Sequence, residues 1–237
     1  IWDPMAFLIE ACHERNMEFH AWLNPYRVST SGNTVFAPNH IYNQHPEWFL
    51  TYNKMILFDP GLPQSRAFIC KVVQDIVSRY DVDAIHMDDY FYPAFTEKNV
   101  GTAFDAPEYE QQIESDMSST DSQSFSSNNP SNEISLADWR RNNVNRLVSL
   151  IYKAIKENNP QVTFGISPAG NLDNLRSDLE YYVDIDTWVS QNGYVDYLMP
   201  QIYWGFTNEV APFDKVTDAW CILMEDSPAK LYIGLQL

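Results

Sequence analysis

The chain has 237 residues, 45% of them hydrophobic and 14% aromatic, enough to bury a sizeable core in one domain. Lys and Arg number 15 against 32 Asp and Glu, a formal net charge of -17. Such a surface repels phosphate backbones, which argues against nucleic acid as a partner, and no run of about 18 apolar residues is present to span a bilayer.

In chain order, the sequence opens on a helical pattern, DPMAFLIEACHERNM, and reaches a first strand-like run at Glu18–Leu23. A long connection, Val28–Leu62, contains HPEWFLTYNKMILFDPG and is expected to hold a small hairpin of its own. A helix is predicted over Pro63–Arg79, with Phe68, Val72, Val73, Ile76 and Val77 at helical spacing. The second strand-like run is Val82–Met87. After it comes a second long connection, Ala94–Ile134, with the tract SDMSSTDSQSFSSNNPSNE. That tract buries little and reads as a flexible excursion over the rim of a site, a polar insertion around residues 110–134.

A long helix is predicted over Leu136–Asn158, with Val144, Leu147, Val148, Ile151 and Ile155 on one face. Ser135 with Asp138 resembles a capping box at its start. Strand-like runs follow at Val162–Ser167, Tyr194–Ile202 and Lys230–Gln236. Between them lie helical patterns near Asp184–Gln191, closed by Asn192-Gly193, and near Pro212–Met224. The chain opens in a helix and stops in a strand, so a single domain cut from a longer protein is expected. Any targeting signal would then lie outside it. Cys12, Cys70 and Cys221 each fall in a helical pattern with no CxxC or zinc spacing, and read as buried thiols.

Strand and helix alternate throughout, which argues a parallel sheet with crossover helices. No glycine-rich phosphate loop follows any strand, which counts against a nucleotide-binding doubly wound sheet. The strands instead end in NPYR, DDYFYP, SPAGN and PQIYW, polar and aromatic stretches of the kind that build a site at the strand ends of a (β/α)8 TIM barrel. The barrel is the favoured fold, with five of its strands in this chain.

Side chains alternate along a strand. Parity sends Ile85 and Met87 toward the helices and Ala84, His86 and Asp88 toward the barrel axis. It likewise sends His20, Trp22 and Asn24 inward, then Thr163, Gly165 and Ser167, then Met199, Gln201 and Tyr203. Asn24, Asp88, Asp89, Ser167, Gln201 and Tyr203 therefore converge on one place. Each has a plainer role available. His20 and His86 suit a hydrogen-bonded core, Asp89 a turn cap, and Asn24 turn chemistry before Pro25. Asp88 is hardest to explain structurally, because a carboxylate closing a buried apolar strand must be paired or functional. Tyr90, Phe91, Tyr92, Tyr203 and Trp204 are ordinary core candidates that also suit stacking on sugar rings.

Glycoside hydrolysis needs two carboxyl functions flanking the scissile bond. Adjacent acids serve when a substrate acetamide is the nucleophile: one orients the acetamide and its neighbour protonates the leaving oxygen. Closeness also raises one of their pKa values. In the other variant Asp88 is the nucleophile and the acid comes from elsewhere, with Asp59, Asp173, Glu209 or a residue outside this chain as candidates.

The stretches DPMAFLIEACHERNMEFHAWLNPYRV, VDAIHMDDYFYP, SLADWRRNNVNRLV, FGISPAG and VDYLMPQIYW together resemble the glycosyl-hydrolase-like ten family over nearly the whole chain. The resemblance implies a bacterial, extracytoplasmic (β/α)8 barrel, often lipoprotein-anchored, of which strands three to seven lie here. A carbohydrate substrate is expected, with no cofactor and no metal. The family's polar strand ends map onto Asn24, Arg27, Asp88, Asp89, Gln201 and Tyr203. VDAIHMDDY with MPQIYW is also similar, more distantly, to chitinase-type barrels, whose Asp-x-Glu pair would place the glutamate at Tyr90. Here Asp89 would have to be the acid.

The expected function is glycoside hydrolysis, with Asp88 and Asp89 catalytic. Asn24, Arg27, His86, Tyr90, Ser167, Gln201, Tyr203 and Trp204 are the expected substrate-binding residues. The rival is a non-catalytic carbohydrate-binding barrel. A metal-dependent hydrolase using His20, His86, Asp88 and Asp89 ranks below both, because no HxH or HxxxH spacing occurs.

Overall fold

The structure is a computed structural model and describes residues 2–102, 105–118 and 134–236. Its strands are β1 (His20–Leu23), β2 (Arg27–Ser29), β3 (Phe49–Tyr52), β4 (Met55–Phe58), β5 (Ala84–Asp88), β6 (Thr163–Ser167), β7 (Tyr197–Leu198) and β8 (Lys230–Leu231). Its helices are α1 (Pro4–His13), α2 (Ile41–Gln44), α3 (Pro63–Arg79), α4 (Ala106–Ser118), α5 (Leu136–Asn158), α6 (Leu172–Leu175), α7 (Ile185–Ser190) and α8 (Phe213–Leu223).

The five strand-like runs of the sequence become one five-stranded, all-parallel sheet in the order β1-β5-β6-β7-β8. Sheet neighbours follow chain order, so there is no point at which the order reverses, as a doubly wound sheet requires. The fold is α/β with a parallel sheet. β1 and β8 are its edges, and among the described residues the sheet does not close on itself. Several strands are shorter than their apolar runs. Beyond Leu198 only an isolated bridge at Gln201 continues β7, and beyond Leu231 only Gly234 continues β8. Pro200 sits between and has no N–H to extend the ladder.

The core lies between the sheet and the α3–α5 pair. Ile85 and Met87 of β5 and Phe164 and Ile166 of β6 pack there with Val73 and Val77 of α3. The predicted face of α5 (Val144, Leu147, Val148, Ile151 and Ile155) is wholly buried against them. Each such aliphatic side chain contributes about 1.5–3 kcal/mol by leaving water. On α3 the buried stripe is Ile69, Val73 and Val77, at spacings of four. Val72, one residue off that stripe, is exposed, contrary to the predicted face.

α5 begins at Ser135, whose hydroxyl accepts from the Asp138 N–H at 3.1 Å. Asp138 does not reach back to the cap's N–H as a longer Glu would. Its carboxylate accepts the Ser135 hydroxyl at 2.7 Å instead. α7 stops at an extended Gln191, so Gly193, at φ +94, lies beyond the helix rather than capping it. All three cysteines are free. Cys12 and Cys70 are half-buried, but Cys221 is exposed, because the α8 turn carrying it and Ile222 faces away from the core.

The hairpin expected in Val28–Leu62 is present. β3 and β4 pair antiparallel around Asn53 and Lys54, both left-handed at φ 47 and 69, which suits the tight turn. β2 joins β4 to complete a three-stranded sheet above the C-terminal end of β1. The second long connection is less empty than its composition suggests. It carries α4, which runs into the polar tract as far as Ser118 and is held where Tyr109 meets Trp139 edge-on at 5.8 Å. The rest of the tract, 119–133, lies outside the described residues.

Candidate active site

The register pairs Trp22 with His86, His86 with Gly165, Gly165 with Tyr197, and Asp88 with Ser167. The inward parity set therefore lies on one face, opposite Ile85 and Met87. Gly165 is required there: a Cβ at this position would lie 2.0 Å from the ring of Tyr197. That ring reaches across the strand and puts its hydroxyl 2.9 Å from His86 Nδ1 and 3.0 Å from His20 Nδ1. His20 Nε2 lies 2.9 Å from the Glu18 carboxylate. Where His20 donates through Nε2 to Glu18 and accepts at Nδ1 from the Tyr197 hydroxyl, the Tyr197 oxygen can receive the Nδ1 proton of His86. Burial pulls His86 down to about 4, so it is neutral, and any charge on His20 would act in the same direction. Trp22 stands edge-on over the His86 ring at 5.7 Å. This layer forms the floor of the site.

Asp88 and Asp89 close β5, with 4% and 2% of their surface exposed. They turn to opposite sides. Asp88 meets Asn24 at the end of β1, whose amide donates to both carboxylate oxygens at 3.1 and 3.2 Å. The Tyr90 N–H adds a bond at 3.3 Å. Asn24 is itself fixed, because its Oδ1 accepts the Arg27 N–H at 3.1 Å. Burial raises the Asp88 pKa above the ordinary carboxylate value. The Tyr90 N–H, the Arg27 charge, Asn24 and Trp22 act against that rise.

Asp89 turns toward the loop after β6, where Ala169 N–H donates to it at 2.6 Å. Burial pushes its carboxyl up to about 7. Ala169 opposes this, and the charges of Asp88 and Glu180 add to it. Two adjacent acids thus occupy different environments, as an acid and its ionised partner must.

A cavity of about 310 Å³ opens at the Tyr90–Tyr92 stretch that follows the pair, and Asp88 and Asp89 themselves are not in its lining. Tyr90, Tyr92 and Tyr181 wall it together with Tyr52 of the hairpin, and Arg27 and Glu180 are the charged groups of its lining. The Arg27 guanidinium lies 4.3 Å from the centre of the Tyr90 ring. Of the expected residues, the structure brings together Asn24, Arg27, Asp88, Asp89 and Tyr90.

Others serve the frame. The Ser167 hydroxyl is buried and donates to Met199 O at 2.8 Å. Gln201 donates to Ser167 O at 2.7 Å. His86 is engaged by Tyr197. Trp204 lays its ring tip over Gly170, and its enclosed indole nitrogen has no hydrogen-bond partner among the described residues. Tyr203 is 43% exposed and does not line the cavity.

The carboxylates expected as alternative acids do not line this cavity either. Asp59 is buried behind the hairpin, accepting the Gly61 N–H at 2.8 Å, while Asp173 and Glu209 are exposed. Glu180 does line it and was not anticipated. Its only signal in sequence is an acid ahead of two tyrosines in the loop after β6. Tyr197 was also missed, although it shares the parity of Met199 and Gln201. Among the described residues no group of three or more His, Cys, Asp or Glu is placed to hold a metal ion.

Fold and site together define an α/β protein with paired acids at the end of a central parallel strand and an aromatic cavity at the residues that follow them. The chain belongs to the glycosyl hydrolase-like 10 family, whose model matches residues 2–237. It is 38% identical over 249 residues to the glycosyl hydrolase YngK of Bacillus subtilis (strain 168), covering 98% of this chain and 45% of that protein. It is 35% identical over 256 residues to the glycosyl hydrolase DigH of Escherichia coli (strain K12), covering 99% and 54%. The chain thus spans about half the length of these curated relatives. Among solved structures, a cycloisomaltooligosaccharide glucanotransferase of Paenibacillus sp. matches with a TM-score of 0.52 at 16% identity, over 97% of this chain and 28% of that one. At that identity the likeness concerns the fold alone.

Proposed function

We propose that this chain is the catalytic part of a glycoside hydrolase, acting on a polysaccharide or glycan with N-acetylhexosamine units by substrate-assisted, retaining catalysis. One observation carries the reading: a buried carboxyl lifted to about 7, Asp89, directly follows a second acid that Asn24 holds by both oxygens. Asp88 orients and polarises the substrate acetamide, whose carbonyl oxygen attacks the anomeric carbon. Asp89 gives its proton to the departing glycosidic oxygen. The tyrosine walls of the cavity suit stacking on sugar rings, and Arg27 suits hydrogen bonding to their substituents. An eight-stranded barrel, completed by strands outside this chain, and an extracytoplasmic location belong to the same proposal.

The test is a digest of glycan fragments by the full-length protein with mass-spectrometric product analysis. New reducing ends are expected. They should fall by orders of magnitude in Asp88→Asn and Asp89→Asn variants whose circular dichroism is unchanged, and a thiazoline mimic of the oxazoline intermediate should inhibit. The depth at which both acids lie favours one other reading, a carbohydrate-binding barrel without turnover. Tight oligosaccharide binding with no product after long incubation would select it.

A further inference from the structure

We propose that the groove between α3 and α5 is a second binding site, which holds a strand of acidic polysaccharide whose sugar units carry carboxylates. The two helices pack on the sheet through their apolar stripes, and the groove lies on their outer side. It shares no lining residue with the aromatic cavity, and the proposal does not depend on the glycosidase reading.

The charges of the groove run against those of the chain. With 32 acids against 15 cations, the surface offers partners to its Lys and Arg side chains. Arg79, Arg140, Arg141, Lys156 and Arg176 each meet an Asp. Arg66, Lys71 and Arg146 meet none among the described residues, and all three line this groove of about 800 Å³. Lys153 lines it as well. It stands 3.7 Å from Glu157, the acid of the lining, with both side chains exposed. Such a pair contributes at most about 1 kcal/mol and yields readily to another anion.

Arg66 is the sharper case, because only 5% of it is exposed. Its guanidinium donates to Pro60 O at 2.5 Å and to Asn143 Oδ1 at 3.4 Å, both neutral acceptors. A cation this deep without a counter-ion is costly. Burial draws its pKa down and the Arg146 charge adds to that, while Tyr26, Tyr92 and Asp59 act the other way without pairing with it. An anion entering the groove offsets the charge of both arginines, and a planar carboxylate matches the guanidinium fork.

The rest of the lining selects a sugar chain. Gln74, Asn142 and Ser149 present amides and a hydroxyl that have no side-chain partner among the described residues, and Tyr194 adds a half-buried ring. Such groups bind sugar hydroxyls and stack on sugar faces. The lining of α5 extends from Asn142 to Glu157, roughly 22 Å at helical rise, with Arg146 and Lys153 two turns apart. Cations in a row suit charges repeated along a strand. A flat bilayer would not reach the buried Arg66, and a net charge of -17 would repel an anionic one.

The experiment is calorimetric titration of the full-length protein with tetragalacturonate. Binding is expected, weakening as salt is raised. Lys71→Gln with Arg146→Gln should weaken it at least about 10-fold with circular dichroism unchanged, since both side chains are exposed. Lys71→Arg with Arg146→Lys should stay within about threefold of wild type. So should Lys98→Gln with Lys230→Gln, which removes the same charge outside the groove. Equal weakening by the two glutamine pairs would reduce the site to general electrostatics and overturn the proposal. No binding of tetragalacturonate by the wild type also overturns it. So does inorganic phosphate or a glycerol phosphate oligomer that binds at least as tightly, because the sugar then plays no part. Capture by phosphatidylglycerol vesicles but not by the sugar would make the groove a membrane contact instead.

Discussion

The side-chain amide of Asn24 donates to both oxygens of Asp88, at 3.1 and 3.2 Å, while its own carbonyl is held by the Arg27 N–H. One residue at the end of β1 thereby sets the orientation of the acid at the end of β5. Hydrogen bonds to charged groups contribute about 1.5–3 kcal/mol, so Asn24→Ala should lower kcat by roughly 10–100-fold with little change in KM. Asn24→Asp should do worse, since a second carboxylate there disfavours the ionised form of Asp88. Full kcat in Asn24→Ala, measured by reducing-end release, would break the link.

Asp89 must carry a proton to act as acid. Burial lifts it to about 7, so the fraction protonated falls as pH rises through that value. The rate should show an alkaline limb there, falling about tenfold per pH unit above it. An acidic limb should follow Asp88, whose pKa is also raised above the ordinary carboxylate value. Asp89→Asn should lose the alkaline limb along with most of the rate. Residual activity in that variant with an unchanged limb would assign the limb to another group.

The floor of the site has its own test. Gly165→Ala would place a methyl group 2.0 Å from the Tyr197 ring, inside a paired strand. The ring would have to leave, and its bonds to His20 and His86 with it. Overpacking costs about 1–3 kcal/mol and each lost bond about 1 kcal/mol. A loss of about 3–5 kcal/mol should lower Tm by roughly 6–20 °C in a chain of this size. Tyr197→Phe loses the same two bonds without the overpacking and should cost about 2 kcal/mol.

Local pattern made much of this legible in advance. α3 and α5 are long and strongly periodic, and Pro63 and Ser135 mark their starts, so both helices match the sequence reading. The five parallel strands could be found because each alternates or runs apolar, and parity then brought Asn24 and Asp88 to one face. What could not be read depends on contacts distant in sequence. Glu180 faces the cavity because Tyr181 bridges Tyr92 and Tyr182 meets Arg140, and no local periodicity records that. Ser167 shares the parity of Asp88, yet its hydroxyl is taken by Met199 O, a partner visible only once β6 and β7 are side by side.

The Arg140–Asp105 pair supports from behind the turn at Tyr181 and Tyr182, both left-handed at φ 59 and 53, through the Arg140 bond to the Tyr182 hydroxyl, and both side chains of the pair are fully buried. Arg140 also lies 4.4 Å from the centre of the Phe95 ring. Removing one partner of a buried pair leaves an uncompensated charge and costs about 3–5 kcal/mol. Arg140→Met should therefore lower the urea midpoint strongly and reduce kcat as the Tyr181–Tyr182 turn loosens. Combining it with Asp105→Leu should recover most of the stability but not the rate, because Tyr182 still lacks its donor. Recovery of both would show that the turn does not depend on Arg140.

Asp59 gives a signature in stability rather than rate. Burial lifts its carboxyl to about 7; the Gly61 N–H opposes this, and the charges of Glu108 and Asp105 add to it. The folded pKa lies above the unfolded one, so between about 4 and 7 the native state holds the extra proton. Stability must then fall as pH rises through that window and level off above it, at up to about 1.4 kcal/mol per pH unit for each such group. Asp89 acts with the same sign. Asp59→Asn should reduce the slope and gain on the wild type from about pH 4 to pH 7, with no further gain above it, and adding Asp89→Asn should flatten the curve further. Urea unfolding across that range measures this, and a slope unchanged in Asp59→Asn would show that the Asp59 carboxyl stays ionised despite its burial.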